Sequence, residues 1–211
     1  MMGTTRLEAF SDGVLAIIIT IMVLELRVPA DMDGHHSDEI AVLRPLLPVF
    51  LSYTLSYVYL GIYWNNHHHM LHATRHISGG VLWANLHLLF WLSLVPFTTA
   101  WMGDHAWAPQ PTATYGVVLL MAAIAYWILV QTIRKAEGAD SLLAQAVGRD
   151  GKGKISPLLY VVAIGAAFVH PAISYALYVT VALIWIVPDR RIERVLSDGR
   201  AAGATGHPGR P

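Results

Sequence analysis

Five histidines, His67, His68, His69, His72 and His76, crowd one short stretch of the chain. His68 and His72, or His72 and His76, are four residues apart and share a helical face, a spacing that suits imidazole coordination of a transition metal. No carboxylate lies between Trp64 and Trp101 to complete such a site, so the reading is a cytoplasmic histidine surface without a metal. Because unperturbed imidazole titrates near pH 6.5, that surface is also a place where pH could act. The other unusual residue is Asp12, in the run Arg6-Leu-Glu-Ala-Phe10-Ser11-Asp12-Gly13-Val-Leu-Ala-Ile17. A carboxylate at membrane depth costs about 2.5 to 3.5 kcal/mol and needs a partner in the protein interior. Ser11 or Asp12 could instead cap a helix, with Gly13 allowing close packing. The helical pattern already running from Arg6 favours the interior reading, with the partner on another segment. Asp12 with His67 and His68 is the one candidate set for catalysis. It has no evident nucleophile, and the chain has no cysteine, so an enzyme is not expected.

These residues must be positioned by membrane helices. Charged residues make up 13% of the chain and hydrophobic ones 55%, about half the charge of an ordinary soluble domain, so most of the surface faces lipid. Each crossing of about 30 Å of hydrocarbon takes about 20 apolar residues. Residues 7–28, 42–64, 80–101 and 112–133 qualify directly. Residues 156–187 are too long for one crossing and are broken by His170-Pro171, which makes two short spans. Arg6, Arg75, the group Arg134, Lys135, Arg149, Lys152 and Lys154, and the arginines from Arg190 onward then fall on one side. Asp31, Asp33, Asp38, Glu39 and Asp104 fall on the other. The positive-inside rule therefore predicts an all-α protein of six transmembrane helices with both termini cytoplasmic. The first span follows a single arginine and lacks a small-residue cleavage site, so it is expected to be retained. The reading is one membrane domain over 1–196. A Gly, Ala, Pro and Arg tail over 197–211 is expected to be disordered.

Within the first span, Ile17, Thr20 or Ile21, and Leu24 recur at helical spacing and form one stripe. Spacing alone leaves a lipid face, a packing face and a pore face open. Thr20 most simply bonds its own i−4 carbonyl. Glu25 and Arg27 close the outer end as interfacial charges. Trp83, Trp91, Trp101, Trp107 and Trp185 lie mostly near span ends, where aromatics anchor helices.

The pattern Arg6-x-x-x-Phe10-Ser11-Asp12-Gly13-Val14-x-Ala16-Ile17-x-x-Thr20 resembles the signature of bacterial members of the TMEM175 family of potassium channels. Trp64-x-x-His67-His68 and Asn85 followed by Pro96-Phe97 resemble the family's other marked segments in the same order. The resemblance covers about the first hundred residues. It implies a potassium-permeable cation channel in the cell membrane, with a pore lined by the first helix and narrowed by bulky aliphatic side chains. Carried over, Ile17 falls at the constriction, Thr20 at a position linked to potassium selectivity, and Ile21 and Leu24 at further pore-facing layers. Arg6, Phe10, Ser11 and Asp12 fall in an interhelical network, with His67, His68 and Asn85 as implied partners. Animal members carry two six-helix repeats and pair as dimers, so a chain with one repeat implies a homotetramer.

A carbonyl filter of the Thr-Val-Gly-Tyr-Gly kind is not present, so selection must use another device, such as an aliphatic ring that gates by dewetting. The outer-loop acids could concentrate cations at the mouth. Two other classes compete. A secondary transporter should show broken helices and a repeat around a midplane site, and a scaffold should tolerate Ile17→Asn without a change in ion flux. No cofactor and no nucleic acid are expected, and the permeant ion is K+.

Overall fold

Proline opens most of the helices, at first-turn positions where a missing N–H costs nothing. A computed structural model of the chain describes residues 3–27, 44, 46–74, 76–137 and 151–186. Among these, α1 runs over Thr4–Ile21 and tightens into a 3-10 turn over Met22–Glu25. Helix α2 (Leu47–His72) has Pro48 in its first turn, and α3 covers Gly79–Ser93. Helix α4 (Val95–Asp104) carries Pro96, α5 (Pro109–Glu137) begins on proline, and α7 (Pro171–Ile186) does too. Between these last two lies α6, Gly151–Ala167.

α3 and α4 act as one rod. Pro96 cannot donate to the Leu92 carbonyl, so the ladder skips one residue at Leu94 and resumes when Thr98 N bonds Leu94 O at 3.1 Å. α3 is capped at its start by Ser78, whose Oγ accepts from Val81 N. The expected break at His170-Pro171 appears as the end of α6 at Ala167 and the start of α7 at Pro171. The second helix begins at Leu47 and continues past Trp64 to His72, which carries His67, His68, His69 and His72 on one helix and leaves His76 beyond its end. Val28, Val42, the outer-loop acids Asp31, Asp33, Asp38 and Glu39, and the 197–211 tail lie outside the described residues.

Three helices, Thr4–Glu25, Gly79–Asp104 and Pro109–Glu137, are long and apolar enough to cross a membrane. α6 and α7 are shorter apolar helices; sixteen residues rise about 24 Å.

Two packed cores share α2 and α5. One joins α1, α3 and the neighbouring parts of α2 and α5 through Leu15, Leu60, Leu71, Leu88 and Leu129. The other joins α2 and α5 to α6 and α7 and is rich in tyrosine: Tyr59, Tyr115, Tyr160 and Tyr178. Hydrocarbon offers no water to satisfy a phenol, so each hydroxyl here needs a protein partner, and those partners tie helices together. Tyr59 donates to the Tyr178 carbonyl at 2.6 Å, and Tyr178 donates to the Thr112 carbonyl at 2.9 Å. Ser56 receives Thr99 at 2.7 Å and meets Tyr115 at 2.9 Å, which joins α2, α4 and α5. α6 and α7 are pinned at both ends of their shared face, by Ser174 to the Ala163 carbonyl and by Trp185 to Ser156. Gly116 on α5 sits so close to Tyr178 and Ile164 that a β-carbon there would meet both.

Candidate pore face and interhelical network

Two faces divide α1. Leu7, Ser11, Leu15, Ile18 and Met22 recur every three or four residues and are buried against the rest of the bundle. The opposite face is bare. Ile17 is 64% exposed, Ile21 48% and Leu24 66%, with Phe10 and Thr20 exposed beside them. The side chains singled out from sequence as one stripe therefore share one uncovered face. Thr20 donates to the Ala16 carbonyl at 2.8 Å and lies 3.1 Å from that of Ile17. Its proton is committed to the backbone, so the hydroxyl oxygen offers lone pairs outward. Beside this face runs an open groove of about 700 Å³, lined on one side by Ile17, Ile21 and Glu25 and on the other by Phe97, Trp101 and Asp104. Phe97 is itself exposed along the groove.

On the buried face a directed hydrogen-bond chain crosses three helices. Ser11 donates to the Leu7 carbonyl at 2.9 Å, one turn back on α1. With its proton spent there, Ser11 Oγ accepts from Asn85 Nδ2 of α3 at 2.9 Å. Asn85 Oδ1 is then the acceptor for His67 Nε2 of α2 at 2.7 Å. The order of donors fixes the tautomer, with the His67 proton on Nε2 and a bare lone pair on Nδ1, which has no hydrogen-bond partner among the described residues. All three side chains are fully or almost fully buried. Ser11 and Asp12 lie well inside α1, so neither is a cap.

The other residues of the expected network are placed differently. Asp12 is half-buried and accepts from Trp64 Nε1 at 3.1 Å. His68 Nδ1 stands 3.0 Å from Glu8 Oε1. Arg6 and Phe10 are exposed, and the Arg6 side chain makes no hydrogen bond or ion pair among the described residues. The structure thus joins Ser11, Asn85 and His67 directly, and it sets Asp12 and His68 beside them with Trp64 and Glu8 as their own partners. Glu8 was not legible as a site residue. Its signal was the four-residue spacing to Asp12, matched by that of Trp64 to His68, and it carries meaning only once the two helix faces are known to meet.

An all-helical bundle with several helices fit to cross a membrane, an uncovered aliphatic face and buried polar links between spans defines an integral membrane protein. Residues 6–96 match the family model described as endosomal/lysosomal potassium channel TMEM175. A potassium channel of Chryseobacterium sp. (strain P1-3) is 52% identical over 193 residues, 92% of this chain and 97% of that one. A potassium channel of Chamaesiphon minutus (strain ATCC 27169 / PCC 6605) is 32% identical over 180 residues, 81% of this chain and 87% of that one. Among solved structures, the crystal structure of a lysosomal potassium-selective channel TMEM175 homolog from Chamaesiphon minutus superposes with a TM-score of 0.78 at 28% identity, covering 88% of this chain and 97% of that chain. The chain belongs to the TMEM175 family. That family is one of ion channels and not of enzymes.

Proposed function

We propose that this chain is one subunit of a homotetrameric, potassium-permeable cation channel of the cell membrane, with six crossings and both termini in the cytoplasm. The pore is lined by α1 of each subunit. Ile17 forms the constriction, Thr20 supplies a ring of hydroxyl oxygens one turn further, and Ile21 and Leu24 form the next layers.

The observation that carries this reading is the bare face of α1. Exposed leucine and isoleucine alone would suit lipid equally well, because lipid tails are as apolar as the side chains. A hydroxyl oxygen with outward lone pairs suits lipid poorly, and the groove beside it ends on two acids, Glu25 and Asp104, that would attract cations at its mouth. Around a four-fold axis the same groups become useful. Aliphatic rings exclude water unless they part, and four Thr20 oxygens can replace part of the hydration shell of a cation. The groove beside α1 is the surface on which a neighbouring copy would seat, closing the ring. The names of the bacterial relatives support potassium as the permeant ion.

The test is cation flux through purified protein in liposomes under a potassium gradient, with a sodium gradient as control. Valinomycin-independent potassium flux that changes in Ile17→Asn is expected, because a polar ring at the constriction wets it. Silence of both proteins, with insertion verified, would refute the channel reading.

A further inference from the structure

Glu8 and Asp12 stand one helical turn apart on α1, and His68 reaches them from α2. One ligand atom from each, two carboxylate oxygens and one imidazole nitrogen, lie within 4.8 Å of one another. Glu8 Oε1 is already 3.0 Å from His68 Nδ1. That nitrogen is shut off from solvent and faces Glu8 as its close polar partner among the described residues, so a metal ion would bind there by displacing the nitrogen's proton and taking its place against the carboxylates. Among the described residues no lysine or arginine forms an ion pair with either acid. Two negative groups at close range, both half-buried, call for a cation between them.

The surroundings hold the three donors in place. Trp64 Nε1 donates to Asp12 Oδ1 at 3.1 Å, leaving Oδ2 for another partner, and a ligand carboxylate is commonly held by such an outer hydrogen bond. The His68 ring lies between Trp64 and His72, one turn away on either side, with interplanar angles of 28° and 17°. An imidazole held by two flat neighbours loses little freedom on coordination.

We propose that Glu8, Asp12 and His68 form a binding site for a divalent first-row transition metal, with zinc the best match, that clamps the first helix to the second. One nitrogen and two oxygens suit zinc and its neighbours. Calcium would demand six to eight oxygens, and magnesium a shell of oxygens alone. Zinc bonds of about 2.0 to 2.2 Å place tetrahedral ligands about 3.3 to 3.6 Å apart. The Glu8 and His68 pair, at 3.0 Å, is a few tenths of an ångström closer than that and opens slightly to admit the ion. Asp12 closes the remaining distance of about 1 Å by turning its side chain. A water completes the tetrahedron, since three protein ligands leave one position open. The carboxylates missing from the histidine segment are supplied by the first helix, which brings them within reach only in the folded chain.

The experiment is zinc binding to tag-free purified protein by isothermal titration calorimetry, with cobalt(II) absorption as a report of tetrahedral coordination. One saturable site per chain is expected. Glu8→Gln and His68→Gln should each weaken binding by more than about tenfold, and cobalt should lose its tetrahedral bands in both. His76→Gln should leave binding unchanged, because the His76 ring faces Glu137 at 3.7 Å instead. Glu8 takes no part in the buried hydrogen-bond chain, so Glu8→Gln tests the site even if His68→Gln does not fold. The proposal is overturned if the native protein shows no saturable zinc site. It is equally overturned if Glu8→Gln binds like the native protein while His72→Gln does not, which would assign the metal to a His68 and His72 surface pair.

Discussion

Replacing Asn85 by alanine removes the middle of the three-helix hydrogen-bond chain, and its cost can be worked out link by link. Two hydrogen bonds disappear, one of 2.9 Å to Ser11 and one of 2.7 Å to His67. Interhelical bonds in membranes are worth about 0.6 to 1.7 kcal/mol each. Ser11 survives the change well, because its own proton still goes to the Leu7 carbonyl. His67 does not. Its Nδ1 has no hydrogen-bond partner among the described residues, so the variant leaves a buried imidazole without its side-chain hydrogen bond, plus the void left by the amide. The sum is about 2 to 4 kcal/mol. For a chain of this size that lowers the apparent melting temperature by about 4 to 16 °C. Ser11→Ala strands only one Asn85 N–H and should cost about half as much. The assay is thermal unfolding of purified protein in detergent, followed by tryptophan fluorescence, for Asn85→Ala, Ser11→Ala, His67→Ala and the Asn85/His67 double variant. A coupling energy near or above 1 kcal/mol between Asn85 and His67 is expected. An Asn85→Ala melting point within about 1 °C of native, or a larger loss from Ser11→Ala, would refute the directed chain.

Thr20→Val keeps the shape of the side chain but removes its oxygen, so the reversal potential under bi-ionic potassium and sodium should move toward zero; an unchanged potential would remove Thr20 from the selectivity device. Gly116→Ala drives a methyl group into Tyr178, whose hydroxyl is anchored on the Thr112 carbonyl, and toward Ile164; it should destabilise by about 1 to 3 kcal/mol. Gly61→Ala meets open space and should melt like the native protein, so equal melting points for the two alanine variants would contradict the packing. Light scattering of the purified protein, corrected for detergent, should give a mass of four chains, and a monomer at all concentrations would exclude a pore closed by symmetry. Because the chain has no cysteine, single cysteines at Gly3, Asp38 and Ser197 report orientation directly. Asp38 alone should react with an impermeant thiol reagent added to intact cells.

The sequence by itself determined the class of protein. Apolar runs of membrane length, the proline at 171 that splits the last of them, and the α1 signature depend on local order along the chain, and local order is what a sequence displays. The stripe of Ile17, Ile21 and Leu24 was equally legible, since residues three and four apart must share a helical face. Which face of α1 is buried was not legible from the apolar pattern and rested on the family resemblance alone, because Leu15 and Ile18 are as apolar as Ile17 and Ile21 and no periodic contrast separates them. Only the tertiary structure decided that the first set packs inward. It also decided who partners whom. Asn85 rather than Asp12 receives His67, Trp64 takes Asp12, and Glu8 meets His68. Each of these pairs joins residues far apart in the chain, and a rotation of α2 by one residue, about 100°, would exchange the roles of His67 and His68. The register comes from the packing of whole helices, with Leu60, Leu71 and Leu88 filling one core, and no single residue in the sequence carries it.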